Sequence, residues 1–495
     1  MRRISSYLIL LSFFLVSTAF LSDQKSSQSS GSYDPDKKYT VAELQFDLAI
    51  LKDALVKAHP GLFRYQSEME FEENYRKLND SIKSPMTELE FFTLIAPFVG
   101  NVKCGHTHLE MSEPFDEYAL NGLKLFPFWV RIIESKIYLT GNYSSDTSVV
   151  IGSEVISING ITTDSIIRFM QQHVWVDGFT KSEAGVEDNF HDLLLGLFNY
   201  PDTYVVNIID TTGNPKVIET EALDYATIYE RHLKRDPPNT NEKYEPFRFR
   251  LIDSLSTGII RIDGFQGKGY EKFLANTFET LKKNGVKNLI IDLRGNGGGD
   301  DYYGRLLYAY IALKEFRYYD HLEVTIDNPQ DSIFKYGTVS LGKIASKFCY
   351  RFELRKTPDG KYDLKNSASK NLSKKPFEPH KNNFTGNVFV LIDNNSYSAT
   401  AEFCAVAQYN KRAEFIGQET GGGYCGNSSG VFFRLTLPNT GIRMQIPLVG
   451  YYMAIEGPCG GGIKPDYPLK ENIRDYILHK DSDLSFTLDL IRTSK

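Results

Sequence analysis

Two strand-to-loop transitions in this sequence gather residue types able to carry out acyl-transfer chemistry. The first is Leu289-Ile-Ile-Asp-Leu-Arg-Gly-Asn-Gly-Gly-Gly299, where an apolar run passes into glycines that let backbone N–H groups turn toward an anion. Taken alone, such a turn serves a phosphate as well as an oxyanion. It lacks the Lys-Ser/Thr ending of a phosphate loop, however, and its glycines do not match the dinucleotide spacing. The second transition is Val388-Phe-Val-Leu-Ile-Asp-Asn-Asn-Ser-Tyr-Ser-Ala-Thr-Ala-Glu402, an apolar strand ending in a tight polar turn before a helix that begins at or just after Ser398. A serine there presents Oγ at the strand end above the positive end of the helix dipole, where developing negative charge is favoured. Helix capping competes for the same residue, because serine is a preferred N-cap.

These segments need a scaffold, and the hydrophobic periodicity supplies one. From Gly258 onward the order is strand, helix, strand, helix: Gly258 to Ile262, Tyr270 to Asn284, Asn288 to Leu293, Asp301 to Ala312. That alternation predicts an α/β catalytic domain. After a charged stretch, Lys343 to Lys381, that reads as a surface insertion, order resumes with a strand at Asn387 to Asp393, a helix from Ser398 to Gln408, and strands around Phe415, Phe432 and Met444. Upstream, Val41, Leu44, Leu48, Leu51, Leu55 and Val56 recur at helical spacing until Pro60. Further helices from Glu68 to Ile82 and after Thr87 complete a small helical domain. Between Tyr118 and Glu221 the pattern changes to short strands at 126–133, 136–140, 155–158 and 204–209. In Ile151-Gly-Ser-Glu-Val-Ile-Ser-Ile-Asn-Gly160 a strand meets an Asn-Gly turn before a helix from Ser165 to Gln171, which resembles part of a PDZ domain; a general β module shares the pattern.

At 495 residues and 41% hydrophobic, the chain is long enough for more than one cored domain. The net charge of −6 arises from 62 acidic and 56 basic residues spread along the chain, with no basic tract to track phosphates, so nucleic acid is not an expected partner. Arg2 and Arg3 precede the apolar run Tyr7 to Val16, and Ser17-Thr-Ala19 supplies small residues for cleavage. Export to the periplasm or the extracellular space is therefore expected, with residues 1–19 as signal peptide and 20–35 as a polar tether. The run is short for a membrane span, although an uncleaved anchor is the alternative. The cysteines Cys104, Cys349, Cys404, Cys425 and Cys459 form no Cys-x-x-Cys pair. An oxidising compartment admits one bridge, and Cys425 with Cys459 is the expected one, as both lie in glycine-rich loops.

The glycine motif at Leu289 to Gly299, the serine turn at Ser396 to Glu402 and the later Gly462-Ile-Lys-Pro-Asp466 together resemble the C-terminal processing (tail-specific) serine peptidases. The resemblance covers most of Thr40 to Leu469. It implies a multidomain α/β protein with a crotonase/ClpP-like ββα catalytic core, a PDZ-like β module and an N-terminal helical domain. The corresponding boundaries are 36–117 for the helical domain, 118–225 for the PDZ-like domain, 240–475 for the core with insertion 343–381, and 476–495 for a C-terminal helix. Peptide or protein substrates are implied, with no cofactor and no metal.

In the bacterial processing branch a lysine in a Gly-Lys-Gly motif acts as base, but here Gly417-Gln-Glu-Thr-Gly-Gly-Gly423 places Gly423 at that position. A glycine cannot accept a proton, so another base is required. Val102-Lys-Cys-Gly-His-Thr-His108 resembles the Gly-His-Thr motif of the tricorn-core-like and retinoid-binding-protein-like branch, and the match is His106. His108 competes, since in an extended segment the two share a face. A metal held by Cys104, His106 and His108 is a further reading that lacks a second ligand pair. The resemblance thus implies Ser398 as nucleophile, His106 as base, and an oxyanion hole from the N–H groups of Ala399 and of Gly297 or Gly298. The branch's orienting serine is replaced by Gly105 and its glutamate position by Cys459. Glu456 is the expected substitute, with Thr107 as intermediary. The alternative from a different class is a catalytically inactive PDZ-like peptide-binding or scaffold protein: those departures speak for it, and the serine at the helix start, the glycine loop and His106 together speak against it.

Overall fold

The computed structural model describes residues 33–180, 183–237, 244–325, 331–339, 354–358, 360–364 and 375–493. The signal segment, nearly all of the tether, most of the 343–381 stretch and Cys349 lie outside them. Among the described residues no helix is long and apolar enough to cross a membrane.

The first three helices, Val41–Ala58, Glu68–Ser81 and Glu88–Gly100, each start at a reciprocal capping box, formed by Thr40 with Glu43, Ser67 with Glu70 and Thr87 with Glu90. They do not core on their own. Leu44, Leu48, Leu51 and Leu55 bury against Phe433, Leu435, Met444 and Ile446 of a sheet far along the chain, so the expected helical domain shares one hydrophobic core with strands Ser428–Thr436 and Arg443–Met453. Distant strands were needed because a helical hairpin of this length buries too little apolar surface by itself.

The β module is an antiparallel sheet in the order Pro215–Glu221, Thr203–Ile209, Glu154–Ile158, Lys136–Asn142, Phe128–Ile133. Asn159 and Gly160, both at positive φ, turn the chain from Glu154–Ile158 into Ile161–Thr162 and the helix Thr163–Gln172. Two further helices, Glu183–Asp188 and Phe190–Phe198, cover the sheet; the run Phe190-His-Asp-Leu-Leu-Leu-Gly-Leu-Phe198 is apolar with little periodicity, which hid it in the sequence.

The catalytic core is built on a sheet ordered Phe247–Ile252, Thr257–Ile262, Asn288–Asp292, Asn387–Ile392, Glu414–Gly417, Tyr467–Pro468. Only the first pair is antiparallel. Strand Asn288–Asp292 is buried throughout, which is why it reads as an unbroken apolar run. A second sheet, centred on Ser428–Thr436 and Arg443–Met453, packs beside it and carries Tyr319–Val324. Leu354–Lys356 and Tyr362–Leu364, inside the expected surface insertion, form a hairpin that extends this sheet. The short strand His108–Glu110 pairs with Arg443–Gln445 on the same sheet and so carries the upstream histidine segment to the core. At the C-terminus, Ser482–Thr493 packs Ile491 and Leu484 under strands Asn288–Asp292 and Asn387–Ile392.

Candidate active site

Strands Asn288–Asp292 and Asn387–Ile392 are parallel neighbours, with Leu289 opposite Val388 and Asp292 opposite Leu391. Their loops therefore leave the same sheet edge side by side, where open parallel sheets place ligands. The loops are stitched together: Gly295 N–H donates to Asp393 Oδ1 at 2.8 Å, Ser396 Oγ to Leu293 O at 3.0 Å, and Tyr397 N–H to Asn296 O at 3.0 Å. Arg294 braces the turn through Asp292 at 2.7 Å and through Asp481 and Asp483 at the start of the last helix. Asp292, Arg294 and Asn296 thus shape the loop.

Ser398 sits immediately before helix Ala399–Tyr409 with φ 54° and ψ −127°. A non-glycine residue in that region carries strain of about 1–3 kcal/mol and persists only where its surroundings impose it. Its side chain makes no capping hydrogen bond. Oγ instead lies 3.2 Å from Nε2 of His106. The geometry that would have made Ser398 an ordinary cap is absent.

The segment before His108–Glu110 turns through Lys103, at positive φ, and brings His106 over the serine. Burial pushes the imidazole below the usual histidine range; the Asp177 carboxylate opposes that shift and His108 adds to it. The ring is therefore neutral at neutral pH and able to take a proton. His108, the competing histidine, is engaged elsewhere: Nε2 is 3.3 Å from Glu110 Oε1, and its ring packs near Trp175. The group of potential metal ligands that converges is Cys104, His106 and Asp177, without His108. Burial holds the Cys104 thiol up at about 12, so it is protonated and a poor ligand as it stands.

The two glycines proposed as oxyanion donors are not equivalent. The N–H of Gly298 is taken by Asn296 Oδ1 at 2.9 Å. Gly298, at φ 99°, has its Cα against the nucleophile turn, where a Cβ would meet Ser398 Cβ at 2.7 Å and Tyr397 O at 2.8 Å. Its role is close approach. Gly297 is exposed, with open space around its Cα. With the Gly298 N–H engaged, Gly297 is the remaining candidate of the two.

The expected orienting group is a correction. Glu456 is exposed in the loop after Arg443–Met453, and the contact made there is from Tyr424 Oη to its backbone carbonyl at 3.4 Å. Thr107 does not relay to it either. Its Oγ1 lies 2.8 Å from Nε2 of His59, whose Nδ1 accepts from the Gly61 N–H at 3.0 Å, so the proton on Nε2 points at the threonine. Burial holds His59 neutral, down at about 3. The Cys425–Cys459 disulfide expected from sequence is present and ties the loop bearing Glu456 to the segment after Gly423.

Sequence reasoning missed Asp177. It lies between the β-module helices, is 2% exposed, and its Oδ1 accepts from the Gly105 N–H at 2.9 Å and Oδ2 from the Gly423 N–H at 3.4 Å. An isolated aspartate in Trp175-Val-Asp-Gly-Phe179 carries no motif; only the Asp-Gly turn after an apolar pair was visible.

Residues 256–469 match the profile of peptidase family S41. Among curated protein sequences none matches the chain. Among solved structures, the chain is similar to mature CPAF, at 15% identity and a TM-score of 0.57, over 91% of this chain and 96% of that one. A mutant of CPAF is 13% identical with a TM-score of 0.61, over 91% of this chain and 96% of that one. CPAF complexed with lactacystin is 16% identical with a TM-score of 0.57, over 91% and 97% of the two chains. At such identities the likeness is one of fold, and it extends through the helices, β module and core together.

Proposed function

Since this chain belongs to peptidase family S41, a family of serine peptidases acting on peptides or proteins, we propose that it cleaves peptide bonds through an acyl-enzyme with Ser398 as nucleophile and His106 as general base. As Oγ bonds to the scissile carbonyl carbon, His106 Nε2 takes its proton, and the tetrahedral oxyanion is held by the N–H groups of Gly297 and Ala399. Collapse breaks the C–N bond while the imidazolium returns the proton to the leaving amine. Water, giving a proton to His106, then bonds to the acyl carbon, and collapse breaks the C–Oγ bond as the imidazolium returns that proton to Oγ. The observation that carries this reading is the 3.2 Å approach of Nε2 to an Oγ that makes no capping bond. The test is labelling of the purified protein with a fluorophosphonate and mapping of the modified residue. Modification of Ser398, lost in His106→Ala, is expected; peptide-terminus binding with no labelling and no turnover would instead identify an inactive binding protein.

The depressed His106 pKa predicts the pH dependence. The base works only when neutral, that is above its pKa, so lowering that pKa extends activity downward. The acid limb of kcat/KM is expected to fall below the ordinary histidine value near 6.5. A limb above 7 would contradict a desolvated base.

Export is part of the same proposal. Arg2, Arg3 and the apolar run to Val16 support it, and the Cys425–Cys459 bridge fits an oxidising compartment. Cell fractionation with N-terminal sequencing of the mature chain tests it; a cytoplasmic, uncleaved protein would overturn it.

A further inference from the structure

The base of this site lacks an orienting partner in the expected place. With Nε2 committed to Ser398, the neutral imidazole carries its proton on Nδ1, and that nitrogen is buried without a hydrogen-bond partner. The hydroxyl of Tyr397, whose ring lies 5.2 Å from the imidazole, is buried in the same place and interacts with the Asp177 side chain. A buried donor left open on the ring of the base marks a network completed by another group. Glu456 is exposed, and both oxygens of the buried Glu402 are occupied, by Tyr319 Oη at 2.7 Å and Asn427 Nδ2 at 2.9 Å.

Asp177 meets the requirement. One of its oxygens, a ring nitrogen of His106 and the sulfur of Cys104 lie within 4.8 Å of one another. It grips the residue before the base through Gly105 N–H and the glycine loop through Gly423 N–H. That loop abuts the nucleophile, for a Cβ on Gly422 would meet Ser398 N at 3.0 Å. One carboxylate therefore ties the histidine segment to the serine turn. Resting on the peptidase reading, we propose that Asp177 is the positioning residue of His106, holding the base against Ser398 and stabilising the imidazolium formed during acyl transfer. The proton stays on Nδ1 throughout. Burial pushes Cys104 and Tyr65 up to about 12 and raises Tyr397 well above the usual phenol range, so all three stay neutral. Among the titratable groups around the ring, Asp177 raises its basicity and His108 lowers it. Because Asp177 follows the helix Thr163–Gln172, the β module contributes directly to the catalytic group, and its seating on the core sets the competence of the base.

The test compares the pH dependence of the fluorophosphonate labelling rate at Ser398 in the full chain and in Asp177→Asn. The asparagine variant is expected to label about 10- to 100-fold more slowly. Its acid limb should move to lower pH by about one unit, because the anion that favoured the imidazolium is gone. A merely structural aspartate would leave the limb in place. An unmoved limb with a wild-type rate, alongside loss of labelling in His106→Ala, overturns the assignment of Asp177 and leaves the peptidase reading intact. Unchanged labelling in His106→Ala removes that reading itself. Should Asp177→Asn not fold, Asp177→Glu carries the test: a slowed reaction on an unshifted limb supports the assignment, and a wild-type rate with the carboxylate displaced by a methylene overturns it.

Discussion

Ser398→Ala is expected to lower kcat/KM for a denatured protein substrate such as casein by about 10⁵- to 10⁶-fold, and His106→Ala by a comparable factor. The double variant should be no worse than either single one. Nucleophile and base act in one step: without Oγ there is no bond for the base to assist, and without Nε2 the hydroxyl remains protonated and a weak nucleophile. Additive losses would mean that the two residues contribute separately, and the 3.2 Å contact would then not be a catalytic one. Some acceleration over water should survive in all three variants, since the N–H groups of Gly297 and Ala399 are untouched. Thermal unfolding is expected to be little changed, because Ser398 Oγ caps nothing and its removal deprives no helix end of a bond. Hydrolysis by Ser398→Ala at or near the wild-type rate would remove the nucleophile assignment outright.

Why Ser398 and His106 were legible while Asp177 was not follows from where each gets its meaning. The serine and the glycine loop end buried parallel strands, and such strands announce themselves as apolar runs stopped by glycine or a polar turn. Their adjacency is then a consequence of sheet order. His106 depends on a long-range pairing, His108–Glu110 against Arg443–Gln445, that periodicity cannot reveal; only its resemblance to a known motif pointed to it. Asp177 has neither advantage. Its function depends on the packing of three chain segments, and packing across such sequence distances leaves no local signature. The same limit explains the helical segment, whose second and third helices were legible from Glu68 and after Thr87 while nothing in Val41–Ala58 revealed that its apolar face would meet Phe433 and Ile446. Glu456 failed for a related reason: proximity in sequence to Gly462-Ile-Lys-Pro-Asp466 suggested proximity to the base, but the residue is exposed to solvent.

Gly105→Ser, which would restore the residue that the resemblance leads one to expect before the histidine, is expected to cripple the site rather than improve it. A Cβ at position 105 would lie 2.1 Å from Tyr397 Oη and 2.8 Å from its Cζ. Neither atom can yield easily, because the Tyr397 ring is fixed beside His106 and its backbone N–H is bonded to Asn296 O at 3.0 Å. Overpacking of this kind costs about 1–3 kcal/mol of stability. The larger effect is on geometry: Gly105 N–H is the anchor on Asp177, so relief of the clash moves the base loop, and a displacement of about 1 Å at a catalytic group costs on the order of 10²-fold in rate. The tyrosine thus fills the space that a side chain at 105 would need, and the two positions should be coupled. Combining Gly105→Ser with Tyr397→Ala removes the colliding ring and is expected to recover stability relative to Gly105→Ser alone, a coupling readable in a double-mutant cycle of unfolding free energies. Independent, additive losses would show that the glycine is tolerated there for some reason other than the tyrosine, and a Gly105→Ser variant as active as the parent would show that the base loop has room the structure denies it.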